Sequence, residues 1–230
     1  VMLTFVLHQR RRPLPLLDLE VFRNPGFRIA VLTSYLGYGA YTSVMLLAPF
    51  LLQNGLGFSV ACVGLLAAIV PAVGGVFSIP AGELTDRFGH RWPRAAGLAL
   101  IAAGTLSLAA AGTDWGLADV IPRLAIVGVG QGFLVGPNTS AMLGALPTNV
   151  GIAGGLLASS RTLALATGQA LWGGLFAVVV TAGAGVAAAL DAAPADMLPG
   201  FRVAFQGAAA VATIAAVIAA RDHHRRATRP

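Results

Sequence analysis

Apolar residues in this chain gather into six long stretches, separated by short segments that hold most of the charge. About 20 residues of helix span the ~30 Å hydrocarbon layer of a bilayer, and these stretches have that length. Only 10% of the residues are charged. An average soluble domain carries roughly 25% and needs them to cover its surface. A soluble enzyme, a nucleic-acid binder and a disordered tail are thereby excluded, and an all-α membrane protein is expected. The pI of about 11.0 does not signal nucleic acid. All basic residues are Arg, and most sit in a few short connections. The single cysteine, Cys62, lies in an apolar stretch and has no internal partner for a disulfide. It reads as a packed thiol.

The breaks between stretches place spans near 28–53, 59–82, 95–112, 120–146, 153–181 and 201–220. Residues 1–7 form an apolar stub too short to cross, which reads as the tail of a truncated preceding helix. Residues 8–27 read as a cytoplasmic linker, 28–220 as a six-helix bundle and 221–230 as a basic tail. Within the linker, Pro13 and Pro15 stop a helix, and Asn24-Pro25-Gly26 signals a turn. The chain starts at Val1 with no charged segment before the stub, so a signal peptide fits poorly and a C-terminal piece of a longer protein is expected. Twelve of the fifteen arginines lie in alternate connections: Arg10, Arg11, Arg12, Arg23 and Arg28; Arg87, Arg91 and Arg94; Arg221, Arg225, Arg226 and Arg229. The positive-inside rule puts that side, and both ends of the piece, in the cytoplasm of a cell (inner or plasma) membrane. The connection near 147–152 lacks Arg and departs from the pattern.

Glycine suits helices that meet in lipid, because it lets backbones approach where no hydrophobic drive exists. Gly128, Gly132 and Gly136 repeat every fourth residue and make one groove on the fourth span. Spans three and six are mostly Ala, Leu, Val and Ile. An inner set (one, two, four, five) and an outer, lipid-facing set (three, six) follow, with a period of three that suggests two three-helix repeats. Polar stripes support the repeat. Ser34, Tyr38, Tyr41 and Met45 share one face of span one, flanked by Tyr35 and Thr42; Gln131, Val135, Asn138 and Met142 share one of span four. These side chains either line a cavity or make interhelical hydrogen bonds worth ~0.6 kcal/mol each. Tyr35, Tyr38, Tyr41, Gln131, Asn138 and Gln169 are the cavity candidates, an aromatic wall with a few amides that suits amphipathic small molecules. Arg161 is the costly residue, at ~2.5–3.5 kcal/mol for an Arg at a helix centre. No carboxylate lies within the six spans. Arg161 therefore snorkels to the interface, lines a gate or touches substrate, the first two being favoured.

Between spans two and three the chain reads Gly82-Glu83-Leu84-Thr85-Asp86-Arg87-Phe88-Gly89-His90-Arg91. Gly82 and Gly89 allow tight turns, Asp86 can meet a helix N-terminus, and Arg87 and Arg91 can hold carboxylates or helix C-termini. The cluster is either a conformational latch or a solvated turn.

This segment resembles the loop signature of the major facilitator superfamily, in the place where that family carries it. Arg123 followed by Gly128, Gly130 and Gly132 resembles the Arg/Gly signature of a fourth helix. The linker PLPLLDLEVFRNPGFR and the run from Gly130 to Gly174 are similar to the last part of the fourteen-helix drug:proton antiporters of the EmrB/QacA type. The resemblance implies half of a major-facilitator fold: the C-terminal six-helix bundle of an alternating-access exporter of hydrophobic or cationic compounds. It implies that Gly82, Asp86, Arg87, Gly89 and Arg91 form the latch, with Asp86 facing the absent N-terminal bundle, and that Arg123 and Arg161 serve gate or packing roles. His90 stands at a usually basic position of the motif. The resemblance implies a proton gradient as energy source and no cofactor, with the bilayer, the N-terminal bundle and a small-molecule substrate as partners. No nucleic acid and no metal is expected. A metabolite facilitator and a non-transporting membrane module are the alternatives. An intramembrane enzyme is disfavoured, since His8, His90, His223 and His224 all fall outside the spans.

Overall fold

The Asn24-Pro25-Gly26 signal is a helix start. The Asn24 side chain accepts hydrogen bonds from the backbone N–H groups of Gly26 (3.0 Å) and Phe27 (3.4 Å), and Pro25 occupies the first helical position. The computed structural model describes residues 24–144, 150–187, 189 and 192–222. The stub at 1–7, most of the linker, the connection at 147–149 and most of the tail lie outside these residues. Helix α1 runs Pro25–Phe50 and passes into a π-helical turn at Leu51–Gly55, just beyond Pro49. Proline removes a backbone donor, and such loosened registers follow where the ladder is interrupted. Ser59 caps α2, Val60–Phe88, by accepting from the Cys62 N–H. Then come α3 (Arg91–Leu108), α4 (Leu117–Gly144), α5 (Val150–Ala184) and α6 (Pro194–Ala220). No strand occurs among the described residues.

Two expected boundaries move. Span two does not end at 82: α2 continues to Phe88 and stops at Gly89, whose φ of 79° suits glycine. The motif is therefore a helix end, not a loop, and Gly82 makes no turn. Span six starts earlier, at Pro194, so that Asp196, Pro199 and Arg202 are helical. Pro194 at the first helical position costs little, because that N–H has no intrahelical acceptor, whereas Pro199 lies inside the helix and removes one such bond. Five helices, all but α3, are long and apolar enough to cross a membrane. Helix α3 has 18 residues and two arginines in its first turn, yet it packs lengthwise between α4 and α6.

The packing exchanges the two repeats. Helix α4 lies against α2 and α3, whereas α1 lies against α5 and α6, and α3 meets α6. The first helix of each three-helix unit thus fills the gap between the second and third helices of the other, as a repeat with period three requires. The expected inner and outer sets differ within this chain. Helices α2 and α5 are the least covered of the five spans, 22% and 28% buried, against 61% for α1. Their glycines touch on one face only, and Leu65, Val76, Ile79 and Val178 stay exposed elsewhere. Helices α3 and α6, expected to face lipid, bury a face on each other.

Contacts at α4 are backbone to backbone. A Cβ on Gly97 would sit 2.7 Å from the Phe133 carbonyl carbon, and one on Gly130 would sit 2.7 Å from the Ile101 nitrogen. A Cβ on Gly132 would sit 2.6 Å from the Gly74 carbonyl oxygen, and one on Gly128 2.9 Å from that of Val70. Gly136, the third member of the expected groove, faces no atom within 4 Å. Gly97→Ala must therefore push α3 from α4, at ~1–3 kcal/mol. Gly136→Ala should leave the packing untouched. Thermal unfolding in detergent micelles will show a lowered midpoint for the first variant and not for the second; matching midpoints would discard this account of the α3–α4 contact.

Candidate functional site

Three groups of polar side chains interrupt the apolar bundle. The first lies along the seam of α1 and α5. There the backbones approach at Gly39 and Gly168, where a Cβ on Gly168 would lie 2.7 Å from the Gly39 oxygen. Trp172 donates its indole N–H to that same oxygen at 2.7 Å. One turn away, the Tyr35 hydroxyl meets the Thr167 hydroxyl at 2.8 Å. The Arg161 guanidinium stands 4.8 Å over the Tyr38 ring. Arg161 is otherwise exposed within this chain, and the ring quadrupole of Tyr38 attracts it on its covered side. The polar stripe of α1 and the expensive arginine of α5 are therefore one structure. Tyr38 and Tyr41 are almost fully buried, at 3% and 6% exposure, and Tyr41 donates to the Met45 sulfur at 3.0 Å. Tyr35 is half-buried and Gln169 exposed.

The second group is on α4. The Gln131 side chain packs over Gly74 of α2, in space that a Cβ there would fill. Asn138 is 1% exposed, with its amide nitrogen 3.8 Å from the Met142 sulfur. Its amide oxygen is buried without a hydrogen-bond partner among the described residues. Asn138 thus stands inside the packed bundle of this chain, not on an open wall. Arg123 sits at the other end of α4, bonded to the Asp119 carbonyl and 4.1 Å above the Trp115 ring. Its contacts are with its own helix and the preceding turn, and Gly128 and Gly132, not Arg123, join α4 to α2.

The third group is the motif at the end of α2. Asp86 and Arg87 are exposed and form no ion pair among the described residues. No atom lies within 4 Å of a Cβ on Gly82. Arg91 turns inward instead. Its Nε donates to the Ala220 carbonyl at 2.8 Å, its Nη2 bonds the same oxygen, and its guanidinium lies 5.0 Å over Trp92. Arg91 thereby satisfies a carbonyl at the C-terminus of α6, as expected of a motif arginine. The motif splits into an inward half, Gly89 and Arg91, and an outward half, Gly82, Asp86 and Arg87.

Sequence reasoning missed the pair beside it. Arg94 is fully buried and donates to the Asp222 carboxylate at 2.7 Å, joining the first turn of α3 to the end of α6. Arg94 reads as one more loop charge in the sequence. A faint signal exists: Asp222 is the lone acid in an Arg-rich tail, directly after an apolar span. Burial, then the charge of Arg94, hold the neighbouring His90 below its ordinary value, and Asp222 partly offsets them. His90 should therefore titrate below ~6.5 by NMR, and Asp222→Asn should move it lower still. The same substitution leaves Arg94 buried without a counter-charge, at ~3–5 kcal/mol. Unaltered thermal stability in Asp222→Asn would mean that the pair holds nothing together.

With this geometry in view, comparisons with known proteins are informative. A family model described as Major Facilitator Superfamily matches residues 5–169. Among similar proteins, the multidrug resistance protein Stp of Mycobacterium tuberculosis is 29% identical over 179 residues, covering 77% of this chain and 33% of Stp. The uncharacterized transporter YebQ of Escherichia coli is 32% identical over 168 residues, 73% of this chain and 37% of YebQ. The riboflavin transporter RibZ of Clostridioides difficile is 28% identical over 166 residues, 72% and 36% respectively. The chain thus spans about a third of the length of the curated relatives it matches. Six apolar helices in two exchanged repeats, with the motif at the end of α2, agree with the family match: the chain belongs to the major facilitator superfamily, a family of membrane transporters and not of enzymes.

Proposed function

We propose that this chain is the C-terminal six-helix half of a proton-driven exporter in the cell membrane that moves hydrophobic or cationic compounds by alternating access. The Arg-rich side, with both ends of the bundle, faces the cytoplasm in this reading. One observation carries it: Asp86 and Arg87 stand exposed at the end of α2, with no ion pair among the described residues, beside a bare Gly82, while Arg91 is already committed to α6. A charged helix end with a small residue next to it accepts a second helix bundle closely. Contacts there that form in one state and break in the other would set the rate of rocking. The uncovered faces of α2 and α5 supply the remaining surface for such a partner. The relation to Stp favours drug efflux.

In this reading the cavity wall is the α1–α5 seam, with Tyr35 and Arg161 at its open edge, Tyr38 buried beneath Arg161 and Gln169 further along α5. Gln131 and Asn138 support it from behind. The proton-carrying carboxylate belongs to the other half, because the described parts of α1, α4 and α5 hold no acid except Asp119 at the far end of α4. A second reading rests on Arg161 itself. A cation at the cavity edge attracts anionic or electron-rich compounds and repels cations, which favours a metabolite such as the one that RibZ is named for.

In the complete transporter, Asp86→Asn should slow dye efflux several-fold at unchanged membrane insertion; wild-type efflux rates in that variant would remove the latch role. Arg161→Gln separates the two readings. Under drug efflux it should spare or raise the rate for cationic dyes, and under the second reading it should abolish uptake or export of an anionic substrate.

A further inference from the structure

The groove on the outer face of α3 and α6 has no role in the function proposed above. It holds about 590 Å³. Its floor is a row of alanines on α3, of which Ala96, Ala99 and Ala103 are exposed, and its other wall is Val217 and Ala220 of α6. Large side chains bracket the row: Trp92, 61% exposed, at the Arg-rich end and Leu106, 55% exposed, at the other. From Trp92 to Leu106 the helix rises about 21 Å, more than the depth of one ~15 Å leaflet. The long axis of the groove follows the helices, as an acyl chain would.

The mouth carries charge of one sign. Arg91 is pinned by Ala220 and Trp92, yet its Nη1 has no acceptor among the described residues. Arg221 follows Ala220 directly, is exposed and pairs with nothing among the described residues. The nearest acid, Asp222, is buried and held by Arg94. Glu83 and Asp86 belong to α2, which packs on α4 and not on α6. Two arginines thus stand over the open end of an apolar slot, with an amphipathic Trp at the depth where indoles favour the headgroup layer. Basic pockets of this kind between helices bind anionic headgroups.

We propose that this groove is a binding site for one anionic phospholipid of the leaflet on the Arg-rich side. Its phosphate lies between Arg91 and Arg221, and one acyl chain lies along Ala96, Ala99 and Ala103. The lipid fills the seam where α3 and α6 close the bundle, next to the Arg94–Asp222 pair.

Fluorescence of Trp92 tests this directly. The chain is reconstituted in phosphatidylcholine vesicles, and phosphatidylglycerol or further phosphatidylcholine with brominated acyl chains is titrated in. The signal of a Trp92→Phe variant is subtracted to isolate that residue. Brominated phosphatidylglycerol should half-quench Trp92 at a several-fold lower mole fraction than brominated phosphatidylcholine. Arg221→Gln, which breaks no contact among the described residues, should cut that preference at least two-fold. Ala99→Leu, which fills the groove, should weaken quenching by phosphatidylglycerol. Equal quenching by the two lipids, or a preference unchanged in Arg221→Gln, overturns the site. Loss of quenching as copies per vesicle rise also overturns it, because a second chain would then be the occupant.

Discussion

Helices in hydrocarbon gain little by hiding apolar side chains from one another, since lipid tails are equally apolar. What holds this bundle is the distance at which backbones meet. Helix α4 approaches α3 at Gly97 and Gly130 and α2 at Gly128 and Gly132, each time so closely that one added methyl would collide with main-chain atoms, while at Gly74 it would meet the Gln131 side chain. Helix α1 meets α5 the same way at Gly39 and Gly168. Everything else takes its position from these contacts. Trp172 can bond the Gly39 carbonyl, and Arg161 can lie over Tyr38, because α1 and α5 are already in contact.

Charges settle at the ends of the helices. On one side Arg91 and Arg94 bind the end of α6 through the Ala220 carbonyl and Asp222. On the other, Arg123 is held by Asp119 and the Trp115 ring. Each arrangement gives the cation a partner, although Arg94 is fully buried whereas Arg123 keeps part of its side chain exposed. The outward half of the motif, Asp86 and Arg87, is the contrast: a charged pair of neighbours with no ion pair among the described residues, beside a bare glycine. That contrast gives the motif a functional meaning beyond a solvated turn.

Reading residues alone located the helices to within a few positions, except at two ends. The charges of residues 83–88 read as a loop, although a helix emerging from lipid gains by ending in water with Arg87 in its last turn. The start of α6 is hidden because Asp196, Pro199 and Arg202 resemble a connection; Pro194 and Asp196 suit a first turn, whereas Pro199 and Arg202 lie further inside the helix. Of the candidate site, the α1 stripe and Arg161 were legible separately, and their meeting was not. Gly136 matched the spacing of Gly128 and Gly132 but has no neighbour, since spacing marks a face and cannot say where that face ends.

The amino-acid order determined by itself that this is a six-helix membrane bundle of transporter type. Apolar runs of about 20 residues leave the backbone one way to satisfy its polar groups in lipid, so length and hydropathy suffice. Tertiary structure alone decided which glycines are contacts, that Arg94 is buried because Asp222 meets it, and that α3 and α6 enclose a groove under two arginines. Arg94 and Asp222 are 128 residues apart. Pairings over such separations depend on the angle and register at which helices cross, and no local pattern of residues encodes them.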